Sequence, residues 1–237
     1  MKIKLIYFVL LGAGLSACSS FFPKNWTSQT TTVENEFKKS DRIESQIKPY
    51  RDSLSVEMNE IIGISPHNLV KDRPCSDLNN WAADALLHDQ DSLAHILTPN
   101  LVLLNVGGLR SSINEGNVTK GDIFSFMPFD NEVVWVKMPI SALKDIAYYI
   151  SKSGGEPIAN AEWFRADSLV LSSVSNLPYF WIVTSDYLMN GGDNMTFFNQ
   201  KLEVVATNKL LRDAFIDQVR REGTLVIDKK CRIHVEK

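Results

Sequence analysis

Several residue types are scarce in this sequence, and each scarcity excludes a class of protein. Three cysteines among 237 residues cannot form a disulfide-dense scaffold. Four histidines are few for a multi-histidine metal enzyme. Lysine and arginine number 25 against 28 aspartates and glutamates, so no basic excess can neutralise the phosphates of a nucleic acid polymer. We therefore expect no nucleic acid partner.

The apolar run near the N-terminus, residues 5–15, is shorter than the roughly 20 residues that a membrane-spanning helix needs. Because it follows the basic segment MKIK, it fits a signal peptide. Residues 15–18 (LSAC) resemble the lipobox of bacterial lipoproteins. That resemblance implies a signal peptide over residues 1–17, acylation of Cys18, and a lipid-anchored, exported protein of the bacterial cell envelope, periplasmic or surface-facing. Ordinary cleavage after Ala17 with a free Cys18 is the alternative.

The hydrophobic share of 44% is large enough to bury a core, which excludes disorder over most of the chain. Residues 18–40 are polar and aperiodic, which predicts a lipidated tether. Residues 41–237 interleave helical and strand patterns and predict one α/β (α+β) domain. A stripe from Ile43 to Ile61 predicts a helix that Pro49 kinks or splits. Further helices are predicted at 77–88, 141–151 and 210–221, and strands at 101–106, 132–138, 180–184 and 202–205, with a closing strand pair at 224–228 and 232–235.

Cys75 and Cys231 remain once Cys18 is counted as lipidated. In an oxidising compartment the two can form a disulfide. Two unpaired side chains, buried as small hydrophobic groups, are the alternative. Both interpretations fit the sequence.

Three polar loops adjoin predicted strands: residues 105–110 (NVGGLR), 128–131 (PFDN) and 185–193 (SDYLMNGGD). Together they supply two aromatic rings, an arginine, an asparagine and an aspartate. Rings can cover the faces of a flat heteroaromatic ligand while polar groups bind its edges. Each loop taken alone also fits an ordinary turn with solvated side chains.

The order and spacing of these three motifs resemble the C-terminal domain of the 5′-nucleotidase family, which includes UDP-sugar hydrolases and cyclic-nucleotide phosphodiesterases. The segment 80–85 (NWAADA) resembles the opening helix of that domain. The similarity covers roughly residues 45–236. It implies a layered α/β/β/α fold that binds the nucleoside part of a substrate.

The resemblance also implies roles for single residues. By motif position, Phe129 and Tyr187 are expected to stack on the two faces of a base. Asn105 and Arg110 are expected to contact the base and the ribose or phosphate region, and Asp193 the ribose hydroxyls. Tyr187 stands where the family usually has phenylalanine, which keeps the ring and adds a hydroxyl.

Three further positions complete the predicted binding set. Asn190 and Gly192 lie in the third loop, and Arg73 stands for an arginine on the phosphate side. Val106 replaces the first glycine of the family's usual glycine run and is expected to stiffen that turn.

The metal-binding half of such enzymes is missing from this sequence. Relatives hydrolyse phosphate esters with an N-terminal domain whose D-x-H, G-D, G-N-H-[DE] and G-H-x-H motifs hold two metals, and none of these motifs occurs here. We therefore expect no catalytic residue and no cofactor in this chain, with two divalent metals in a separate metallophosphoesterase. A nucleotide- or nucleoside-binding lipoprotein without a catalytic partner is the alternative. A scaffold that has lost its ligand site conflicts with the motif residues present.

Overall fold

A computed structural model describes residues 40–94, 96–98, 100–164, 168–172 and 176–234 of the chain. Chain contacts divide the protein into residues 1–46 and 47–237, and residues 40–46 of the first unit begin a helix. The predicted signal peptide, Cys18 and nearly all of the tether lie outside the described residues. Within the described ranges, no helix is both long and apolar enough to cross a membrane.

The described elements alternate between helices and strands along the chain. The longer helices are α1 (Asp41–Met58), α2 (Asp77–Asp89), α5 (Ala142–Ser153) and α7 (Leu211–Glu222), with the short helices α3 (Asp91–Ala94), α4 (Lys120–Phe126) and α6 (Asp186–Met189) between them. The strands are β1 (Ile61–Ser65), β2 (Asn100–Leu103), β3 (Gly116–Thr119), β4 (Glu132–Pro139), β5 (Ile158–Ala159), β6 (Ala161–Phe164), β7 (Leu169–Leu171), β8 (Tyr179–Ser185), β9 (Glu203–Leu210) and β10 (Ile233–His234).

A five-stranded sheet in the order β5-β2-β8-β4-β9 forms the centre of residues 47–237. Strands β2 and β8 are parallel, and the other neighbouring pairs are antiparallel. Side chains alternate between two cores: Val102 packs in the core shared with α2 and α7, while Leu101 and Leu103 pack with α5 and the sheet β10-β6-β7. Because both faces of β2 are covered, all four of its residues are buried. The predicted mixed α/β fold is therefore confirmed.

The predicted helices 77–88, 141–151 and 210–221 correspond to α2, α5 and α7. Helix α2 begins at Ser76, whose side chain accepts a hydrogen bond from the backbone N–H of Asn79. Leu78, Trp81, Ala82 and Leu86 all lie in the core, as the helical spacing predicted.

The predicted first helix is present as α1, and it continues through Pro49 without splitting. The prediction is wrong at the end of this helix: α1 ends at Met58, because Ile61 opens strand β1 and pairs with Thr119 of β3. A proline inside a helix leaves a backbone carbonyl without its N–H partner. Helix α1 has no buried residue, so water can bind that carbonyl and the helix need not break.

The predicted closing strand pair is also wrong. Strand β10 pairs in parallel with β6, with Ile233 opposite Trp163, and segment 225–230 is not a strand. The backbone N–H of Leu225 instead donates to the carbonyl of Ile64, and the carboxylate of Asp228 binds Arg232 at 2.9 Å. Cys75 and Cys231 form a disulfide, with 5.7 Å between their Cα atoms, which ties the segment before α2 to the segment before β10.

Candidate functional site

A cavity of about 290 Å³ opens where the three motif loops meet. Parallel β2 and β8 end at one edge of the central sheet, and antiparallel β4 begins at that edge, so the loops 105–110, 128–131 and 185–193 converge there. Five residues that the sequence predicted line this cavity: Asn105, Arg110, Phe129, Tyr187 and Asp193. The other lining residues are Leu104, Gly107, Gly108, Leu109, Met127, Asn131, Ser185 and Leu211.

The two aromatic rings of the cavity are exposed. Phe129 retains 40% and Tyr187 retains 47% of its accessible surface, although large aromatic side chains usually contribute to a core. The guanidinium carbon of Arg110 lies 5.8 Å from the centre of the Phe129 ring, within cation–π range. Both rings therefore keep free surface next to polar groups.

Asp193 connects the polar side chains of the first and third loops. One of its carboxylate oxygens accepts a hydrogen bond from the Asn105 amide at 2.6 Å, and the other accepts one from the Tyr187 hydroxyl at 2.9 Å. Asp193 and Asn194 have φ angles of 51° and 63°, a left-handed conformation that these residue types tolerate better than most. The backbone turn thus carries the Asp193 carboxylate to both partners.

Hydrogen bonds from neighbouring elements fix the second and third loops. One carboxylate oxygen of Asp186 accepts from the backbone N–H of Tyr187 at 2.7 Å and from that of Glu132 at 3.1 Å, which joins α6 to β4. Arg212 on α7 donates to the carboxylate of Asp130 at 2.7 Å. Loop 128–131 is therefore held from its far side.

Gly192 lies directly against the Tyr187 ring, where a Cβ atom would overlap the ring carbons. Asn190 follows α6, and its backbone N–H donates to the carbonyl of Asp186. Neither residue is among those that line the cavity. Gly192 can act on the site through the position of Tyr187.

Arg73, predicted for the phosphate side, is also not among the lining residues. Its guanidinium donates to the carbonyl of Gly155 at 2.8 Å, to the carbonyl of Ser153, and to the carboxylate of Glu156 at 3.0 Å. The structure therefore places Arg73 against the segment that follows α5.

Two residues that sequence reasoning missed support the loops from behind. Glu156 is buried, and its carboxylate accepts a hydrogen bond from the backbone N–H of Val106 at 2.7 Å. Burial raises the pKa of the Glu156 carboxyl, against the opposing effects of Val106 and Arg73. The Tyr149 hydroxyl donates to the carbonyl of Asp193 at 3.0 Å, and burial together with the charges of Glu156 and Asp193 raises the pKa of Tyr149 to about 12. Tyr149 thus remains a hydrogen-bond donor at neutral pH.

Metal-binding side chains are dispersed in the part of the chain that the structure describes, where no three of them meet in a group able to hold an ion. His67 faces Asp77 at 2.8 Å, and His234 faces Glu162 at 2.9 Å. Each of these histidines is paired with a single carboxylate.

Comparison with known proteins shows which proteins this chain is similar to. Residues 61–146 match the model of the 5′-nucleotidase C-terminal domain. An apyrase of Tabanus yao is 23% identical over 239 residues, which cover 86% of this chain and 43% of the apyrase. The structure of the 5′-nucleotidase precursor from Thermus thermophilus aligns with a TM-score of 0.64 and 21% identity over 80% of this chain and 42% of that one. The NAD nucleotidase of Haemophilus influenzae aligns with a TM-score of 0.59 and 16% identity over 84% of this chain and 42% of that one.

The protein therefore has a mixed α/β domain with the fold of these nucleotidase structures. The predicted resemblance to the C-terminal domain of the 5′-nucleotidase family is then confirmed by the family match over residues 61–146. The chain spans less than half the length of the curated relatives that it matches.

Proposed function

We propose that this protein is the nucleotide- or nucleoside-recognition component of a 5′-nucleotidase-type phosphohydrolase system in nucleotide catabolism. The observation that carries the proposal is the pair of exposed rings, Phe129 and Tyr187, in one cavity whose rim holds the Arg110 cation and the Asp193 carboxylate. A base has two apolar faces and a polar edge, and this arrangement offers a partner to each.

The chemistry of each group fits a part of a nucleoside. The two rings can stack on a base, where one base–aromatic contact is worth about 1–3 kcal/mol. Carboxylate oxygens accept hydrogen bonds, so Asp193 can bind ribose hydroxyls. The Arg110 guanidinium can donate to a base edge or a phosphate. Asn105 already donates to Asp193 and orients that carboxylate.

We further propose that phosphate release requires a separate metallophosphoesterase chain, because no two-metal motif occurs in this sequence. The two divalent metals would belong to that partner. The alternative is a nucleotide-binding envelope lipoprotein that works without a catalytic partner. A short metallophosphoesterase encoded by the neighbouring gene would favour the first of these two functions.

Calorimetric titration of the full chain with adenosine, AMP, UMP and UDP-glucose tests the recognition function. We expect binding without added metal and no phosphate release by the pure chain with Mn²⁺, Zn²⁺ or Mg²⁺. Phosphate release by the pure chain that a chelator abolishes would contradict the requirement for a separate metallophosphoesterase. If the chain binds none of these ligands, the recognition function itself is contradicted.

A second assay separates the two candidate functions. A candidate metallophosphoesterase is assayed for phosphate release from AMP with and without this chain. A higher kcat/KM in the presence of the chain supports a recognition subunit. An unchanged rate, with nucleotide binding retained, supports the binding protein without a partner.

Lipid anchoring at Cys18 is part of the proposal, from the LSAC segment at residues 15–18. The disulfide between Cys75 and Cys231 supports export, since disulfides persist in oxidising compartments. Cys18→Ala should accumulate an unprocessed precursor and lose metabolic labelling with a fatty acid, whereas the matched variant Cys231→Ala should keep the label. Normal processing and membrane association of Cys18→Ala would contradict the anchor.

A further inference from the structure

We infer that Arg73 and Glu156 form a positioning pair for the turn at residues 105–108, so that Arg73 affects ligand binding through this turn and not by contact with a phosphate. The inference rests on the proposed function, because it concerns how the same cavity is kept in a binding geometry. It gives a role to Glu156, a buried carboxylate in a segment outside all three motif loops.

The Glu156 carboxylate joins two parts of the chain. One oxygen accepts from the Arg73 guanidinium at 3.0 Å, and the other accepts from the backbone N–H of Val106 at 2.7 Å. The Glu156 side chain is 2% exposed, so water cannot readily replace either partner. These two hydrogen bonds satisfy both oxygens of the Glu156 side chain in this buried position.

Arg73 has further hydrogen-bond partners besides Glu156. Its guanidinium also donates to the carbonyls of Ser153 and Gly155, so one planar group binds both the end of α5 and the buried carboxylate. These bonds use several of the donors that a phosphate would need. The arginine is therefore oriented toward Glu156 before any ligand binds.

The turn that Glu156 holds carries Asn105 into the cavity. Val106 follows Asn105 directly, and the Asn105 amide donates to Asp193 at 2.6 Å. The Asn105 side chain also packs on Gly108, where a Cβ atom would overlap its carboxamide. A shift of the Val106 backbone would therefore move Asn105 relative to Asp193 and disturb the polar rim of the cavity.

The positioning role and a phosphate-contact role predict different ligand dependence. If Arg73 contacts a phosphate, its loss weakens binding of AMP and leaves adenosine binding unchanged. If Arg73 acts through Glu156 on the turn, its loss weakens binding of both ligands by the same factor. The pair of ligands thus distinguishes the two roles directly.

The test measures the Kd of AMP and of adenosine for the full chain and for Arg73→Ala, Glu156→Gln and the double variant. We expect each single variant to raise the Kd of both ligands by about three- to tenfold. The Kd values of the double variant should be no higher than those of the more affected single variant. The matched control is Arg220→Ala, since Arg220 is a half-exposed arginine that pairs with Glu60 at 2.8 Å and is not among the residues that line the cavity. It should change neither Kd.

The NMR resonance of the Val106 amide proton, measured without any ligand, reports on the hydrogen bond that holds the turn. Glu156→Gln should shift the amide proton resonance of Val106 upfield, because a neutral amide is a weaker acceptor than a carboxylate. If Arg73→Ala does not fold, Arg73→Lys replaces it, and this variant should again weaken both ligands equally, because lysine lacks the planar fork.

Two results would overturn the inference: a loss confined to AMP in the Arg73 variant, or unchanged affinity and an unchanged Val106 resonance in Glu156→Gln. Failure of the wild-type chain to bind either ligand would instead overturn the proposed function. The two failures are therefore distinguishable.

Discussion

Two phenylalanines three residues apart in sequence occupy opposite environments. Phe126, at the end of α4, is fully buried, with its ring centre 5.9 Å from that of Trp81 and 5.2 Å from that of Phe215. Phe129 is 40% exposed in the cavity, beneath Arg110. The comparison teaches that exposure beside polar groups, and not residue type, separates a ring that stabilises the fold from one available to a ligand.

The largest effect is expected from the buried ring. Phe126→Ala removes a ring from a close-packed aromatic cluster and should lower the free energy of unfolding by about 3–5 kcal/mol, measured by urea denaturation. The adenosine affinity of the protein that remains folded should change little. A loss of stability below about 1 kcal/mol would show that the cluster is not the core that its burial indicates.

The exposed rings should give the reverse pattern. Phe129→Ala or Tyr187→Ala should weaken adenosine binding by about ten- to a hundredfold, because each removes one stacking contact. The melting temperature should change far less than in Phe126→Ala, since these side chains bury less surface. Unchanged adenosine affinity in both folded variants would contradict the base sandwich, and a large fall in melting temperature would make both rings core residues.

Gly192 sharpens the comparison, because a side chain at this position would meet the ring of Tyr187. In Gly192→Ala the new methyl group overlaps the Tyr187 ring and must displace it. We expect adenosine binding to weaken by roughly fivefold, for a displacement worth about 1 kcal/mol. Stability should be almost unchanged, since the ring is already exposed. Wild-type affinity in this variant would mean that the position of the Tyr187 ring does not matter for binding.

The smallest effect is expected from the Tyr187 hydroxyl. Tyr187→Phe keeps the stacking face and removes only the hydrogen bond to Asp193 at 2.9 Å. Because this bond is solvent-exposed, adenosine binding should weaken by less than about threefold. Calorimetric titration of both proteins measures the difference. A tenfold loss of adenosine affinity would show that the hydroxyl of Tyr187 contributes more to binding than its ring does.

The sequence predicted the residues that line the cavity better than the residues that hold the cavity loops in place. Asn105, Phe129 and Asp193 belong to motifs in fixed order beside predicted strands, so their convergence follows from the fold. Glu156 has no such signal, because it stands between two glycines and a proline, outside any periodic pattern. Its partners, Arg73 and Val106, are far away in sequence and only the folded chain brings them to it.

The errors in the fold prediction have a similar cause. Periodicity extended the first helix to Ile61, but the pairing of β1 with β3 is a tertiary contact that the local pattern does not contain. Strand β10 has two residues, too few for an alternating pattern to select β6 as its partner. Local sequence predicted most elements here, whereas long-range pairing decided their ends and neighbours.

The proton NMR spectrum of adenosine bound to the full chain tests the central claim most directly. A base held between two aromatic rings lies within the shielding cone of each, so the H2 and H8 resonances of adenine should move upfield on binding. The shift should be reduced in Phe129→Ala and in Tyr187→Ala. Binding of adenosine without any upfield shift, or with a shift that both variants retain, would contradict the base sandwich in this cavity.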